Sequence, residues 1–367
     1  MKKTFVVVAL AIFLVGTFAT ADEAAIIDFT LLSADISVEQ KTDKNGNPVN
    51  DQNRRTVMDY GRTAGSTFTD DQKSLMKTSL ALPNWEVKLN ASAKNVASLS
   101  GSQVVAAKVN TTKHTLDGEE VAVTVPFAGQ EIMGVRVVFP TAAVNASAKI
   151  VPPYEIPAYE EMVDINDDGS YVTDEDGKYV NTSDVTTTRF EGGFGVVKNV
   201  GTIKSLSVST YGMDYPHKLY VMLKDTDGVE RRYLMGNLKF DGWKELRWNN
   251  PNYITDIRTR EIRIYPIYPR GLPFVKFTGF QIVRDAADVG GDFIGYFKDV
   301  KIIYDKAQLV TERDIADEDL WHIVSDREAA KQTLEMTRFG NKQVDRYLEK
   351  AKYAKEADFT SSIVSDE

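Results

Sequence analysis

The chain of 367 residues contains no cysteine, so a disulfide scaffold, a thiolate metal site and a lipid-modified cysteine are all excluded. It has only three histidines, His114, His217 and His322, and none belongs to a paired metal-binding motif. We therefore expect them at the protein surface or at its boundary. The sequence also lacks a Gly-x-Ser-x-Gly elbow, a phosphate-binding glycine loop and a dinucleotide fingerprint. It offers no candidate catalytic, cofactor-binding or metal-ligating residue.

Positive charge is scarce. Lysine and arginine total 44 against 53 acidic residues, which gives a net charge of −9. An acidic chain of this kind lacks the basic footprint that binds nucleic acid or anionic membranes. We expect neither as a partner.

Long apolar runs are missing everywhere except at the N-terminus. Met1-Lys2-Lys3 precedes an apolar run from Thr4 to Phe18, and Ala19-Thr20-Ala21 supplies a small-x-small cleavage pattern. The run is shorter than the roughly 20 residues that span a bilayer. We therefore predict a signal peptide over 1–21, with cleavage after Ala21 and export to the far side of the inner membrane. Cleavage also removes Lys2 and Lys3, so that the processed chain is still more acidic and has no membrane segment.

Short β-branched and alternating segments dominate the processed chain, which indicates strands. The predicted strands are Ala122–Val125, Gly134–Phe139, Ile203–Tyr211, Lys218–Leu223, Glu261–Ile267, Phe274–Val283 and Phe293–Tyr304. Asx-Gly pairs separate them and predict tight turns at Asn45-Gly46, Asp117-Gly118, Asp227-Gly228 and Asp241-Gly242. Gly192-Gly193-Phe194-Gly195 is expected to form a turn before a strand. Many short strands at this spacing predict a mainly β protein, an antiparallel jelly-roll-like β-sandwich.

Three other regions differ in character. The polar stretch 45–71 is interpreted as a long loop, and Pro152 to Pro157 as a stiff extended connector. From Asp314 onward the residues favour helix, with Gly340-Asn341 separating two helices. The predicted organisation is a sandwich domain over 22–310 with an insertion at 164–184, a C-terminal α-helical segment over 311–359 and a disordered tail over 360–367.

One face of the C-terminal helical segment is apolar, since Val344, Tyr347, Leu348 and Ala351 recur at helical spacing. Such a face usually packs on its own domain. The alternative is that it helps to dock the subunit onto a partner.

The acidic insertion at 164–184 contains a pattern that fits a calcium loop in spacing. Its ligand positions would be Asp164, Asn166, Asp168 and Glu175, with Gly169 at the sharp turn. The preceding proline-rich segment cannot supply the entering helix of an EF-hand. The same stretch contains two Asp-Gly repeats typical of a hairpin, so we favour a solvated hairpin and predict no metal site.

Aromatic residues near the middle of the chain suggest an alternative role. Trp243, Trp248 and Tyr253 could stack on sugar rings in a carbohydrate-binding sandwich, although strand aromatics more often fill a core. Plentiful carboxylates also leave a secreted glycoside hydrolase open.

Several segments resemble the FlaA family, the outer-layer or sheath proteins of spirochaete flagella. The most specific is Phe240 to Pro251, FDGWKELRWNNP, followed by Gly290 to Val300, GGDFIGYFKDV. Further similarity occurs in order along nearly the whole processed chain, at 25–29, 84–87, 133–140, 268–270, 314–318 and 338–341. The resemblance implies a structural, non-enzymatic protein without cofactors, which coats a core of flagellin inside the periplasm. It also implies contacts with other sheath proteins and with further copies of itself, and effects on filament stiffness, shape and motility.

Overall fold

The computed structural model describes residues 21–33, 36–42, 48–52, 56–61, 64, 66–74, 76–114, 118, 120–122, 125–141, 145–158, 190–262 and 273–307, with some further residues in 172–175 and 320–352. The predicted signal peptide through residue 20 and the predicted tail lie outside these residues. No helix within the described residues is long and apolar enough to cross a bilayer.

Two antiparallel sheets of six strands each form a sandwich, which confirms the predicted fold class. The front sheet has the order β16-β13-β18-β10-β7, and β1 also pairs with β18. Its strands are β1 Asp22–Asp28, β7 Gln103–Lys108, β10 Glu131–Phe139, β13 Val200–Met213, β16 Asp241–Asn249 and β18 Gly291–Lys306. Residues on these strands alternate between core and outward faces, as an antiparallel sheet with one buried face requires.

The back sheet has the order β15-β14-β17-β11-β6, and β12 also pairs with β17. Its strands are β6 Glu86–Leu89, β11 Ser147–Val151, β12 Val196–Lys198, β14 Lys218–Asp225, β15 Glu230–Asn237 and β17 Phe274–Val283. The chain connections that pass from one sheet to the other include β10–β11, β13–β14, β15–β16 and β17–β18. The strand registers place these four crossings at one end of the sandwich.

Three two-stranded hairpins and a few short helices complete the described elements. The hairpins pair β2 Ile36–Thr42 with β3 Pro48–Gln52, β4 Met58–Asp59 with β5 Lys77–Thr78, and β8 Thr112–His114 with β9 Glu120–Ala122. The helices are α1 Asp70–Ser74, α2 Val96–Gly101 and α3 Tyr253–Ile262, with 3-10 turns at Phe29–Leu31, Leu82–Asn84 and Ala91–Ala93.

The core lies between the two sheets and is rich in phenylalanine. Phe280 of β17 and Phe297 of β18 stack with ring centroids 4.6 Å apart, so that each sheet contributes one ring. Phe29 and Trp85 extend this cluster, and the Trp85 indole N–H donates to the carbonyl of Leu80 at 2.7 Å. Buried aromatic rings of this kind contribute most of the area removed from water in a sandwich core.

Most predicted strands agree with the structure. Phe274–Val283 coincides with β17, and the predictions at Gly134–Phe139, Ile203–Tyr211, Lys218–Leu223 and Phe293–Tyr304 lie within longer strands. The Asp227-Gly228 pair closes the hairpin between β14 and β15, and the 192–195 glycine turn precedes β12. Ala122 ends β9, whereas part of the rest of that predicted strand lies outside the described residues.

The predicted strand at Glu261–Ile267 is wrong at its start, because Glu261 and Ile262 belong to α3. Hydrogen-bonded turns at the preceding Asn250-Pro251-Asn252 start a helix in place of the strand that the alternating pattern predicts. The Asn250 carboxamide accepts the N–H of Asn252, and the Asn252 carbonyl then accepts the N–H of Asp256 at 2.8 Å. Residues 263–267 lie outside the described part of the chain.

Two further predictions need correction. The Asp241-Gly242 pair does not close a turn, since both residues begin β16 and Gly242 pairs with Gly212. The stretch 45–71 is not a single loop, because it contains β3, β4 and the start of α1. The predicted connector from Pro152 to Pro157 contains no helix or strand, and nearly all of its residues are buried.

The described residues between 340 and 352 are helical, including Gly340 and Asn341, so the predicted break does not lie at those two residues. Val344 and Tyr347 pack against the sandwich core, and the Tyr347 ring lies 6.5 Å from that of Phe68. Leu348 remains 48% exposed. Two of the four residues on the predicted apolar face therefore pack on the chain's own domain.

Candidate interaction surface

The outward face of the front sheet carries an apolar row that crosses five strands. The registers align Trp243 with Tyr211, Tyr211 with Tyr296, Tyr296 with Gly134, and Gly134 with Val105. Directly opposed residues in a sheet project from the same face. The neighbouring residues Thr210, Phe297 and Val135 are buried, so the row itself faces outward. We call these five residues the outer stripe.

The outer stripe is bulky at one end and small at the other. The Trp243 and Tyr211 rings lie 5.6 Å apart, and the Tyr211 and Tyr296 rings 6.1 Å apart, both edge to face. A Cβ placed on Gly134 would lie 3.4 Å from Tyr296 Cε1 and 3.2 Å from Val105 Cγ2. The tyrosine ring and the valine therefore share the space above the glycine. The Val105 side chain is 42% exposed.

Phe127 reaches over this face from the loop that precedes β10. Its ring lies 4.8 Å from that of Trp243, and the ammonium of Lys298 lies 5.2 Å from its centroid. Phe127 has φ of 63°, a conformation that costs an aromatic residue about 1–3 kcal/mol. A turn maintains this conformation, since the Phe127 carbonyl accepts the N–H of Gln130 at 3.0 Å. Ring contacts with Trp243 offset part of the strain.

Charged side chains on the same face form ion pairs. Arg136 contacts Asp292 at 3.0 Å, Arg247 contacts Glu245 at 3.2 Å and Lys301 contacts Glu23 at 3.5 Å. Hydrogen bonds from Ser207 and Arg247 lower the pKa of Glu245. The front sheet therefore presents an apolar row bordered by neutralised charges.

Lys298 bridges the carboxylates of Asp299, at 2.7 Å, and Asp28, at 3.5 Å. Burial alone would lower the pKa of Lys298, but the two carboxylates outweigh burial and raise it. Asp299 is buried, and its Oδ1 atom has no hydrogen-bond partner among the described residues. The lysine therefore remains charged and supplies the main compensation for this carboxylate.

The corresponding row on the back sheet is polar. It runs from Lys88 through Lys149, Gln281 and Tyr220 to Leu234. Lys149 pairs with Glu230 at 3.3 Å, and Gln281 accepts a hydrogen bond from Arg232 at 3.0 Å. An outward face of this composition is ordinary for a sandwich. The two faces of the protein therefore differ in chemistry.

The three aromatics predicted to stack on sugars do not lie on one surface. Trp243 belongs to the outer stripe, whereas Trp248 projects from the opposite face of β16 and packs 4.7 Å from Tyr233, against the core. Tyr253 lies on α3, where its hydroxyl donates to Asp305 at 2.8 Å. Tyr211 and Tyr296 were missed by sequence reasoning, because only the strand registers bring them beside Trp243.

His217 is buried at 1% exposure, so the expectation of a surface position is wrong for this residue. His322 is exposed, as expected. The side chain of His114 and the calcium-like ligands Asp164, Asn166 and Asp168 lie outside the described residues. Among the described residues no group of three or more acidic or histidine side chains could hold a metal.

The His217 ring links loops at the end of the sandwich where the chain crosses between the two sheets. Its Nδ1 atom accepts the N–H of Asp285 at 3.3 Å, so the ring proton resides on Nε2, which lies 3.5 Å from Asp288 Oδ2. The His217 carbonyl accepts the N–H of Leu238 at 2.9 Å. Burial lowers the pKa of His217, and the cation of Arg284 acts in the same direction, against the opposing effect of Asp288 and Asp285. The ring is therefore neutral at physiological pH.

Glu155 anchors the Pro152–Pro157 segment to the back sheet. Its Oε1 atom lies 2.6 Å from Lys224 Nζ and 3.0 Å from Lys276 Nζ. Burial alone would raise the pKa of Glu155, but the two lysines outweigh it and lower the pKa to about 2. The Lys276 side chain is only 3% exposed. Glu155 and the two lysines therefore form a largely buried, structural ion-pair network.

Comparisons with known proteins point to one family. The family described as flagellar filament outer layer protein FlaA matches residues 49–313. A flagellar filament outer layer protein of Treponema pallidum is 51% identical over 362 residues, covering 99% of this chain and 97% of that protein. Its counterpart in Spirochaeta aurantia is 39% identical, covering 98% of this chain and 95% of that protein.

A third relative, the flagellar filament outer layer protein of Borreliella burgdorferi, is 32% identical and covers 72% of this chain and 66% of that protein. Among solved structures, a carbohydrate-binding module in complex with β-1,4-galactotriose matches 60% of this chain and 88% of its own, at 13% identity and a TM-score of 0.24. That TM-score supports no conclusion about function. The first two relatives cover nearly the full length and all three carry the same description, and the chain therefore belongs to the FlaA family of flagellar filament outer layer proteins.

Proposed function

We propose that the protein is a structural subunit of the outer layer of the periplasmic flagellar filament, where it coats the flagellin core. The observation that carries this proposal is the 51% identity to a flagellar filament outer layer protein over 99% of the chain. The similarity extends over nearly the whole length, and a subunit of a layer depends on several surfaces at once. The role is structural and non-enzymatic, and it contributes to filament stiffness and shape, and through them to motility.

The N-terminal strand supports export and processing. β1 begins at Asp22, directly after the predicted cleavage position, and Asp22 pairs with Lys306 at 2.9 Å. Cleavage after Ala21 would therefore release the signal peptide without removing any residue of the front sheet. Mass spectrometry of the N-terminal peptide from purified protein tests this step, and a mature terminus inside β1 would contradict it.

Purification of periplasmic flagella tests the function directly. After detergent removes the outer sheath membrane, the protein should sediment with the filaments, while a soluble periplasmic protein stays in the supernatant. A strain that lacks the protein should have thinner filaments with altered helical shape. Recovery of the protein only in the soluble fraction would overturn the proposal.

A further inference from the structure

The outer stripe is unusual for the outward face of a sandwich sheet. Such faces are normally polar, and the equivalent row on the back sheet follows that rule. On the front sheet, three aromatic residues and a valine occupy one continuous row, with Phe127 above it and the 44% exposed Met213 two residues beyond Tyr211 on β13. The three aromatic residues are half-buried, whereas Val105 and Met213 are exposed. Contiguous apolar surface on the outward face of a sheet marks a contact with another macromolecule.

Charge makes a second copy of the chain a suitable partner. Two copies of a protein with a net charge of −9 repel each other over most of their surfaces. Around the outer stripe, Arg136, Arg247 and Lys301 each pair with a carboxylate on the same face, and Lys298 bridges two more. An acidic protein can therefore meet itself at this face with little charge repulsion.

Shape gives the second argument. One end of the outer stripe carries the Trp243 and Tyr211 rings, whereas at the other end the edge of the Tyr296 ring and the short Val105 side chain lie over Gly134. When two such faces meet with their stripes running in opposite directions, the bulky end of each lies against the small end of the other. Large residues opposite small ones interdigitate, as facing layers of a packed sandwich do.

We propose that the outer stripe is the contact between two copies of this chain, which pack front sheet to front sheet about a two-fold axis parallel to the strands. The inference rests on the proposed function in one respect, since a subunit of a filament layer must contact neighbouring copies. Paired subunits of this kind would be the unit from which the layer is built. The flanking ion pairs form the polar rim of the contact.

Sedimentation velocity of the purified full-length protein tests the contact. The wild-type protein should form dimers with increasing concentration. A variant with Tyr211→Ser and Trp243→Ser removes the bulky end and should raise the dimer Kd by about ten-fold or more. Val105→Glu should do the same from the other end, because a carboxylate would then face the partner's aromatic rings, whose faces carry negative charge density. Leu234→Ser is the matched control, since Leu234 is 46% exposed on the outward face of the back sheet.

Circular dichroism of each variant confirms that the fold is kept, and Val105→Glu leaves the aromatic rings in place. A wild-type protein that stays monomeric, or variants that dimerise as well as the wild type, would overturn the inference. The inference would also be overturned if the variants dimerised normally but no longer bound flagellin filaments stripped of their outer layer. The outer stripe would then contact the flagellin core of the filament. Absence of the protein from purified flagella would contradict the proposed function, and this result is distinct from the outcome of the dimerisation test.

Discussion

The rings of Phe280 and Phe297 stack across the middle of the sandwich with centroids 4.6 Å apart. Phe280→Ala should lower the free energy of unfolding by about 3–5 kcal/mol, because it removes a fully buried ring and leaves a cavity between the sheets. Phe280→Leu should cost less than half as much. Urea titration measures both effects. Ile254→Ala is the control, since Ile254 is 65% exposed and its loss should change stability by no more than about 0.5 kcal/mol.

Glu155→Gln removes the carboxylate that lies 2.6 Å from the Lys224 ammonium and 3.0 Å from the buried Lys276 ammonium. Glu155→Gln should therefore destabilise the protein by about 3–5 kcal/mol at neutral pH. Because the pKa of Glu155 is lowered from 4.5 to about 2, this stabilisation is present above pH 4.5 and is lost as the pH falls towards 2. Urea titrations of wild type and variant should thus converge at low pH.

Two further variants make that test specific. Adding Lys276→Met to Glu155→Gln should recover part of the lost stability, since it removes a buried ammonium that has lost the Glu155 carboxylate. Glu230→Gln breaks the exposed pair with Lys149 and should cost no more than about 1 kcal/mol. Equal losses from Glu155→Gln and Glu230→Gln would contradict a buried network.

His217 should make the stability depend on pH in the mildly acidic range. Its pKa in the folded protein lies below the ordinary value of about 6.5, so the unfolded chain takes up the proton more readily. The stabilisation is complete above pH 6.5 and declines as the pH falls below it. His217→Asn keeps an acceptor for the Asp285 N–H but cannot titrate, and it should flatten this decline.

Thermal melting at several pH values between 7.5 and 5 measures the effect. His217→Asn should melt at a lower temperature than wild type at pH 7.5, because ring contacts with Phe139 and Phe293 are lost. His322→Asn, at an exposed position, should reproduce the wild-type slope. A wild-type slope in His217→Asn would show that the ring does not titrate as argued.

Gly279 should tolerate no side chain. It has φ of 143°, and an added Cβ would lie 2.2 Å from the Ile150 carbonyl oxygen on the adjacent strand. Gly242 also has a positive φ, of 91°, but its Cβ would meet nothing within 4 Å. Gly242→Ala should therefore cost only the conformational strain of about 1–3 kcal/mol. Gly279→Ala should cost a further ~1–3 kcal/mol from the steric clash, measurable by urea unfolding.

The sandwich was predictable from the sequence because most of its central strands have strong local patterns. The Phe274–Val283 prediction coincides with β17, where β-branched and aromatic residues are continuous and both faces are largely covered. The α3 helix was not predictable in the same way, because side-chain turns at Asn250 and Asn252 decide the local structure. The alternating hydrophobicity that includes Glu261 and Ile262 does not reveal the effect of these turns.

The candidate surface required the strand registers. Tyr211 and Tyr296 are 85 positions apart in the sequence, yet β13 and β18 place them opposite each other. A sequence pattern shows which residues alternate along one strand, but not which residues oppose them on the next. Burial of His217 was unpredictable for a related reason, because the three aromatic rings around it come from three separate segments.

The pairing of β1 with β18 also determines when the protein can fold. Asp28 and Lys298 make contact although they are 270 positions apart in the chain. β18 is the central strand of the front sheet, so that sheet cannot assemble until almost the entire sandwich has been synthesised. Long-range antiparallel pairing of this kind folds slowly. The front sheet therefore stays incomplete for most of the chain's synthesis, and an incompletely folded polypeptide can still be threaded through a narrow translocation channel.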